Sequence, residues 1–127
     1  MQRSVRGATT ISSDNRDEVL EATAELLNEI IEQNNINHAD IVNILFTATD
    51  DIRSEFPAVA AREIGLTSIP LLDCQQMKCD NALALCIRVM LTYNTAKQQG
   101  DIKHVYLREA KKLRPDLLTS VIKIKGY

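Results

Sequence analysis

The sequence predicts an α/β fold, a sandwich with a mixed sheet and helices on one face. Three observations carry this: one stretch with apolar residues at helical spacing, five short runs rich in apolar and β-branched residues, and turn or capping residues between them. The resulting element order is β-α-β-α-β-β-β.

The first strand is read at Ser4 to Ile11, a run of β-branched and small residues. A helix follows over Asp14 to Gln33, where Val19, Leu20, Leu26, Leu27, Ile30 and Ile31 recur every three to four residues as one apolar stripe. Ser13 or Asp14 is expected to cap it, Asp17 and Glu18 suit the positive end of its dipole, and Asn34-Asn35 ends it. Ile41 to Thr49 is the second strand, closed by Asp50-Asp51. Phe56-Pro57 opens a second helix that Gly65 terminates. Three further strands are read at Ile69 to Leu72, Leu85 to Thr92 and Lys103 to Leu107. The chain is expected to be a single 1–127 domain in which about 117–127 form a loosely held tail.

Composition excludes several functional classes. Fifteen Lys and Arg against seventeen Asp and Glu give a net charge of −2, without the basic excess of a general nucleic-acid binder. No apolar run approaches the roughly 18 to 20 residues that span a bilayer. The opening MQRSVRGATT lacks the apolar centre of a secretory leader, so a cytoplasmic location is expected. Cys74, Cys79 and Cys86 are an odd count without metal-ligand spacing, which favours reduced thiols. With two His residues and no HExxH or CxxC pattern, no resident metal or cofactor is expected.

Two arginines stand where a core would not want them. Arg88 interrupts Cys86-Ile87-Arg88-Val89-Met90-Leu91, on the same strand face as Cys86 and Met90. Arg6 lies inside the first strand beside Gly7 and Ala8, small residues that let a ligand approach the backbone. A guanidinium withdrawn from water needs an anionic partner. A structural ion pair or an edge strand exposed to water would satisfy either Arg alone. Two on separate strands also suit a small anionic ligand such as a carboxylate, which Arg grips with paired hydrogen bonds. His104 and Tyr106 share a strand face with Arg108 and read as surface or interface groups, and His38 beside a turn reads as solvated. Cys74 has no His nearby in sequence to activate it, and Lys111-Lys112-Leu113-Arg114 reads as a solvated face or a helix end.

Five blocks taken together resemble one known family. They are Arg6-Gly7-Ala8-Thr9-Thr10, Phe56-Pro57-Ala58 with Arg62, Cys86-Ile87-Arg88-Val89, His104-Val105-Tyr106-Leu107-Arg108-Glu109, and Leu113-Arg114-Pro115-Asp116. In this order and spacing the chain, from Arg3 to about Leu117, resembles the AroH-type chorismate mutases. The resemblance implies a pericyclic rearrangement of chorismate to prephenate in aromatic amino-acid biosynthesis, without metal, cofactor or covalent intermediate. It also implies a homotrimer, a pseudo α/β barrel in which three sheets surround the centre and each active site lies between neighbouring subunits.

By the same resemblance, Arg88 would face the ether oxygen that gathers negative charge as its C–O bond breaks, stabilising the transition state beyond the ground state. Arg6 would bind a carboxylate and hold the substrate in its compact reactive shape, and Tyr106 would contact a carboxylate from the neighbouring strand. Phe56, Ala58, Arg62 and Leu72 would line the pocket, joined by Cys74, with Leu113 and Arg114 at its mouth.

The sequence departs from the family pattern in one loop and beside it. Asp73 and Gln76 occupy the positions where members usually offer a Cys and a Glu to the ring hydroxyl and the arginine charge, and Val59 stands where a Lys often lies. One expectation is that the carboxylate has moved, Asp73 accepting from the hydroxyl while neutral Gln76 offers its amide. Another is that Asp73 points to solvent and the site works with one anion fewer. A non-catalytic homologue is a third reading, opposed by the retention of Arg6 and Arg88. In the tail, Lys123 and Lys125 would help retain a dianion. Two other classes share parts of this pattern: a trimeric imine deaminase of similar architecture, and a sensing module that binds an aromatic-pathway metabolite without turnover.

Overall fold

The computed structural model describes residues 1–113. The expectations for Arg114, Lys123, Lys125 and the 117–127 tail lie outside the described residues.

Five strands and two α-helices make up the frame: β1 (Gln2–Thr10), α1 (Arg16–Gln33), β2 (Ile41–Ala48), α2 (Ala58–Glu63), β3 (Leu71–Gln75), β4 (Cys86–Asn94) and β5 (Val105–Tyr106). Short 3-10 segments add His38–Asp40, Gln99–Asp101 and Arg108–Leu113. The strand order across the sheet is β3-β2-β4-β1-β5. β4 runs antiparallel to both β1 and β2, whereas β2–β3 and β1–β5 are parallel, so the sheet is mixed as the pattern predicts.

Alternation along the strands sorts side chains onto two faces. Val5 of β1, Ile44 and Phe46 of β2, and Val89, Leu91 and Tyr93 of β4 turn to one face and form the main core with Leu26, Leu27 and Ile30 of α1 and Ala58 and Ala61 of α2. Both α-helices therefore cover the same face. Gly7 also points there: a Cβ on it would lie 2.7 Å from Ile30 Cδ1 and 3.1 Å from both Leu26 Cδ1 and the Val105 carbonyl oxygen. Only a hydrogen fits between β1 and α1 at that point.

The structure corrects several boundaries. α1 is capped by Asn15, whose side chain accepts from Glu18 N–H, rather than by Ser13 or Asp14. Asp14 instead accepts the N–H groups of Arg53 and Ser54, closing the loop that leads to α2. Glu18 folds back to accept from Ser12 N–H, and that bond chiefly lowers its pKa. β3 begins two residues later than read and runs on through Asp73 to Gln75, because Phe46, Thr47 and Ala48 of β2 offer it ladder partners. β4 starts at Cys86: Leu85 takes a φ of +48° while its N–H donates to the Asp51 carboxylate.

β5 shrinks to two residues. The main chain of Lys103 is diverted to the side chain of Asn34, and Arg108 turns the chain with a φ of +52° into the 108–113 segment. There Ala110 packs with Ala8 and Cys86, so one corner of the face opposite the α-helices is covered as well. Among the described residues, no helix is long and apolar enough to cross a membrane.

Candidate active site

The face opposite the helices carries the unusual chemistry. Cys74, Thr47, Arg88, Ala8 and Tyr106 are register partners in one row across all five strands. The next row holds Leu72, Leu45, Met90 and Arg6. Leu72 is 56% exposed, and Leu45 and Met90 each 41%, so this row is an apolar strip open to solvent. Ala8, between Arg88 on the central strand and Tyr106 at the edge, is fully buried against Ala110.

A cavity of about 270 Å³ lies over these two rows, lined by Arg6, Thr47, Arg88, Met90, Tyr106 and Leu113, with Gly7, Leu45 and Val89. The packing of Gly7 against α1 sends its neighbours Arg6 and Ala8 to this opposite face. Neither Arg6 nor Arg88 forms an ion pair among the described residues. Two buried polar atoms on this side of the sheet also lack hydrogen-bond partners among the described residues: Arg88 Nε and Thr47 Oγ1. Unpartnered buried polar groups are costly, and this pair in a cavity with two guanidiniums suits a polar anion. Burial pushes the Cys86 thiol up in pKa, with Arg88 pulling partly the other way, so Cys86 is a neutral packing group.

A second cleft, of about 610 Å³, lies along the outer edge of β3 and is lined by Ile52, Ser54, Glu55, Phe56, Pro57, Asp73 and Cys74 among others. Phe56 is 64% exposed there. Asp73 pairs in register with Phe46, whose ring is in the core beneath the helices, so within one chain Asp73 is on the face opposite Arg88. Its Oδ1 accepts Ala58 N–H at 3.0 Å, the first main-chain donor after Pro57, which has none. Burial raises the Asp73 pKa, opposed by that N–H and by the charge of Arg62. The solvent-pointing expectation for Asp73 is thereby corrected: this carboxylate is half-buried and holds the Phe56–Ala58 corner.

The site residues read from sequence thus divide mainly in two. Arg6, Arg88, Tyr106 and Leu113 line the first cavity, whereas Gln76, just past the end of β3, lines a separate hollow with Asp50, Lys78 and Leu83. Phe56, Asp73 and Cys74 line the second cleft, with Ala58 and Arg62 on the adjoining helix. The two linings share no residue. Leu72 stands between them on the open face. His104 and Arg108 do not share a face as expected: Arg108 turns away to Glu18 and Glu25, while His104 directs its Nδ1 at the β1 main chain. Sequence reasoning missed Thr47, whose hydroxyl faces Arg88 across the β2–β4 ladder. Alternation within Ile41–Ala48 was the available signal, and it needed the register to be useful.

The chain is similar to known proteins over most of its length. The chorismate mutase AroH of Bacillus subtilis (strain 168) is 44% identical over 118 residues, covering 92% of this chain and 93% of that protein. The AroH chorismate mutase of Thermus thermophilus is 42% identical over 118 residues, 92% of this chain and 97% of that protein. A solved chorismate mutase from Clostridium thermocellum superimposes with a TM-score of 0.85 at 44% identity, covering 87% of this chain and 98% of that one. The profile described as chorismate mutase type I matches residues 2–117, a span that includes both arginine strands and both clefts. A mixed sheet with paired guanidiniums on its open face, relatives alike over nearly their whole length, and a profile match of that extent place this chain in the type I chorismate mutase family.

Proposed function

We propose that this chain is a chorismate mutase, an isomerase that converts chorismate to prephenate. The observation that carries the reading is the pair of guanidiniums, Arg6 and Arg88, that meet in one cavity with no carboxylate paired to either among the described residues. Chorismate brings two carboxylates to them.

The reaction is intramolecular. The ether C–O bond breaks as a new C–C bond forms between the ends of the same molecule, so atoms balance without proton transfer, redox partner or covalent enzyme intermediate. What the protein supplies is shape and electrostatics. Arg88 on the central strand is held by ladders on both sides, and its guanidinium is poised to meet the oxygen that becomes negative, an interaction stronger in the transition state than before it. Arg6 and Tyr106 bind carboxylate and, with the wall of Leu45 and Met90, keep the substrate in its compact form. Thr47 Oγ1 supplies a polar group beside Arg88.

We read the second cleft as the other half of the same site, contributed by a neighbouring subunit of a homotrimer. Two features support this: the half-sites lie on separate surfaces of one chain, and the strip Leu72–Leu45–Met90 leaves apolar area for a second copy to cover. In that arrangement Phe56, Ala58, Arg62, Leu72, Asp73 and Cys74 would close over the substrate from the adjacent chain. Asp73 has one oxygen committed to Ala58 N–H, and its other would accept from the ring hydroxyl.

The test is an ultraviolet assay of chorismate loss, with prephenate confirmed by acid conversion to phenylpyruvate. Wild-type turnover is expected, and Arg88→Ala should lower kcat by about two to three orders of magnitude. Absence of turnover in folded wild-type protein would overturn the reading. An unchanged kcat/KM in Asp73→Asn would refute the hydroxyl contact alone.

A further inference from the structure

We propose that His104 is a positioning residue for Arg6, and that its imidazole replaces a main-chain acceptor at the point where the β1–β5 ladder runs out. The proposal rests on the reading that Arg6 binds a substrate carboxylate.

The parallel pairing joins only Gly7 with Val105 and Ala8 with Tyr106, and Leu107 N–H extends it by donating to the Ala8 carbonyl. At the other end it cannot continue. Both main-chain groups of Lys103 are taken by the buried Asn34: Lys103 N–H donates to Oδ1 at 2.8 Å, and its carbonyl accepts from Nδ2 at 2.9 Å. The same Nδ2 reaches the Ile30 carbonyl of α1, so the diversion is anchored in the core. The Lys103 carbonyl is thus committed elsewhere, and His104 Nδ1 accepts Arg6 N–H at 3.0 Å. An imidazole accepts only through an unprotonated nitrogen, so this contact is made by a ring with its Nδ1 lone pair free.

The bond acts on the residue whose side chain enters the cavity beside Arg88. Gly7, next along, is fixed from the α1 side by Ile30 and Leu26. His104 fixes the preceding peptide from the β5 side. Together they leave the Arg6 main chain little freedom, and a guanidinium on a shifted strand would meet its carboxylate out of line. A shifted Arg6 would bind its carboxylate less well and so weaken substrate binding.

Two substitutions separate acceptor from ring. In His104→Asn, Oδ1 is two bonds from Cβ, as Nδ1 is in His, and can take the same N–H. In His104→Phe the ring remains and the acceptor is lost. We expect the Arg6 amide, followed by NMR hydrogen exchange, to stay protected in wild type and His104→Asn and to exchange about tenfold faster or more in His104→Phe. A carboxylate contact made alike in ground and transition states contributes mainly to KM, so KM for chorismate should rise about tenfold in His104→Phe with kcat changed little, and His104→Asn should restore it. Should the Phe variant not fold, His104→Ala carries the same contrast.

Protection and KM unaltered in His104→Phe, or a His104→Asn variant as impaired as His104→Phe, would overturn the proposal. If wild type does not turn over chorismate, the functional reading fails, and the Arg6 amide exchange still decides whether His104 holds this strand.

Discussion

Gly7→Ala offers a stringent test of how the fold presents its arginines. The added methyl would sit 2.7 Å from Ile30 Cδ1, well inside any normal carbon–carbon contact, and 3.1 Å from Leu26 Cδ1 and the Val105 carbonyl oxygen. Ile30 and Leu26 are both fully buried, and the carbonyl belongs to the β5 ladder, so neither the helix nor the strand has empty space to move into. Overpacking of this kind costs about 1–3 kcal/mol. For a chain of this length that corresponds to a Tm lower by roughly 3–5 °C per kcal/mol. Ile30→Val removes the offending Cδ1 and alone costs about 0.5–1.5 kcal/mol. The double variant should therefore lose about 1 kcal/mol less than the sum of the single changes, with the Leu26 and Val105 contacts keeping the rescue partial. Urea unfolding at one fixed protein concentration measures this, since self-association would otherwise shift the midpoint. A loss below about 0.5 kcal/mol for Gly7→Ala, or strict additivity in the cycle, would refute the claim that α1 sets the position of β1.

Other outcomes follow from the same geometry. Asn34→Ala removes the partner of both Lys103 main-chain groups and should cost about 1–3 kcal/mol in urea unfolding, with faster exchange of the Lys103 amide. Asp73 has a pKa raised by burial, so ionising it weakens the fold: its contribution is fully present below the ordinary carboxylate pKa and is lost as pH rises through the higher folded value. Asp73→Asn keeps an acceptor for Ala58 N–H, so it should be the more stable protein at neutral pH, with the gain vanishing in acid; equal stability at both pH values would contradict this. Glu18 is the opposite case: Ser12 N–H lowers its pKa, so its stabilising effect is present above the ordinary value and lost as pH falls, and Glu18→Gln should flatten the acid limb of the stability profile. If the proposed homotrimer buries the exposed apolar strip, Leu45→Glu places a charge in it and should shift sedimentation toward the monomer, while an assembly unaltered by the change would move the interface elsewhere.

Much of this protein is legible without coordinates. The stripe from Val19 to Ile31 could only be a helix with one buried face, and the alternation in Cys86–Leu91 already set Arg88 apart from Ile87, Val89 and Leu91. Two arginines within apolar strands suited a small anionic ligand, while a structural ion pair or an exposed edge strand stayed open until the structure gave neither a carboxylate partner among the described residues. The short strands and caps were harder, since a few residues of local preference lose to tertiary partners. Asn15 displaced Asp14 as the cap once Asp14 found the Arg53 and Ser54 amides, and β3 moved to the register that β2 offered.

Other matters were decided by tertiary structure alone. Strand order β3-β2-β4-β1-β5 brings Arg6 and Arg88, 82 positions apart, into one cavity, and hydrophobic periodicity carries no information about which strands become neighbours. The same register sets Asp73 beside Phe46 on the helix face, away from Arg88. Local sequence determines which residues share a face of their own strand; which faces meet is set by long-range pairing and by what the helices cover. His104 shows the difference most plainly: in sequence it is a lone histidine beside a short strand, and only the diversion of Lys103 to Asn34 makes its ring the acceptor that holds Arg6.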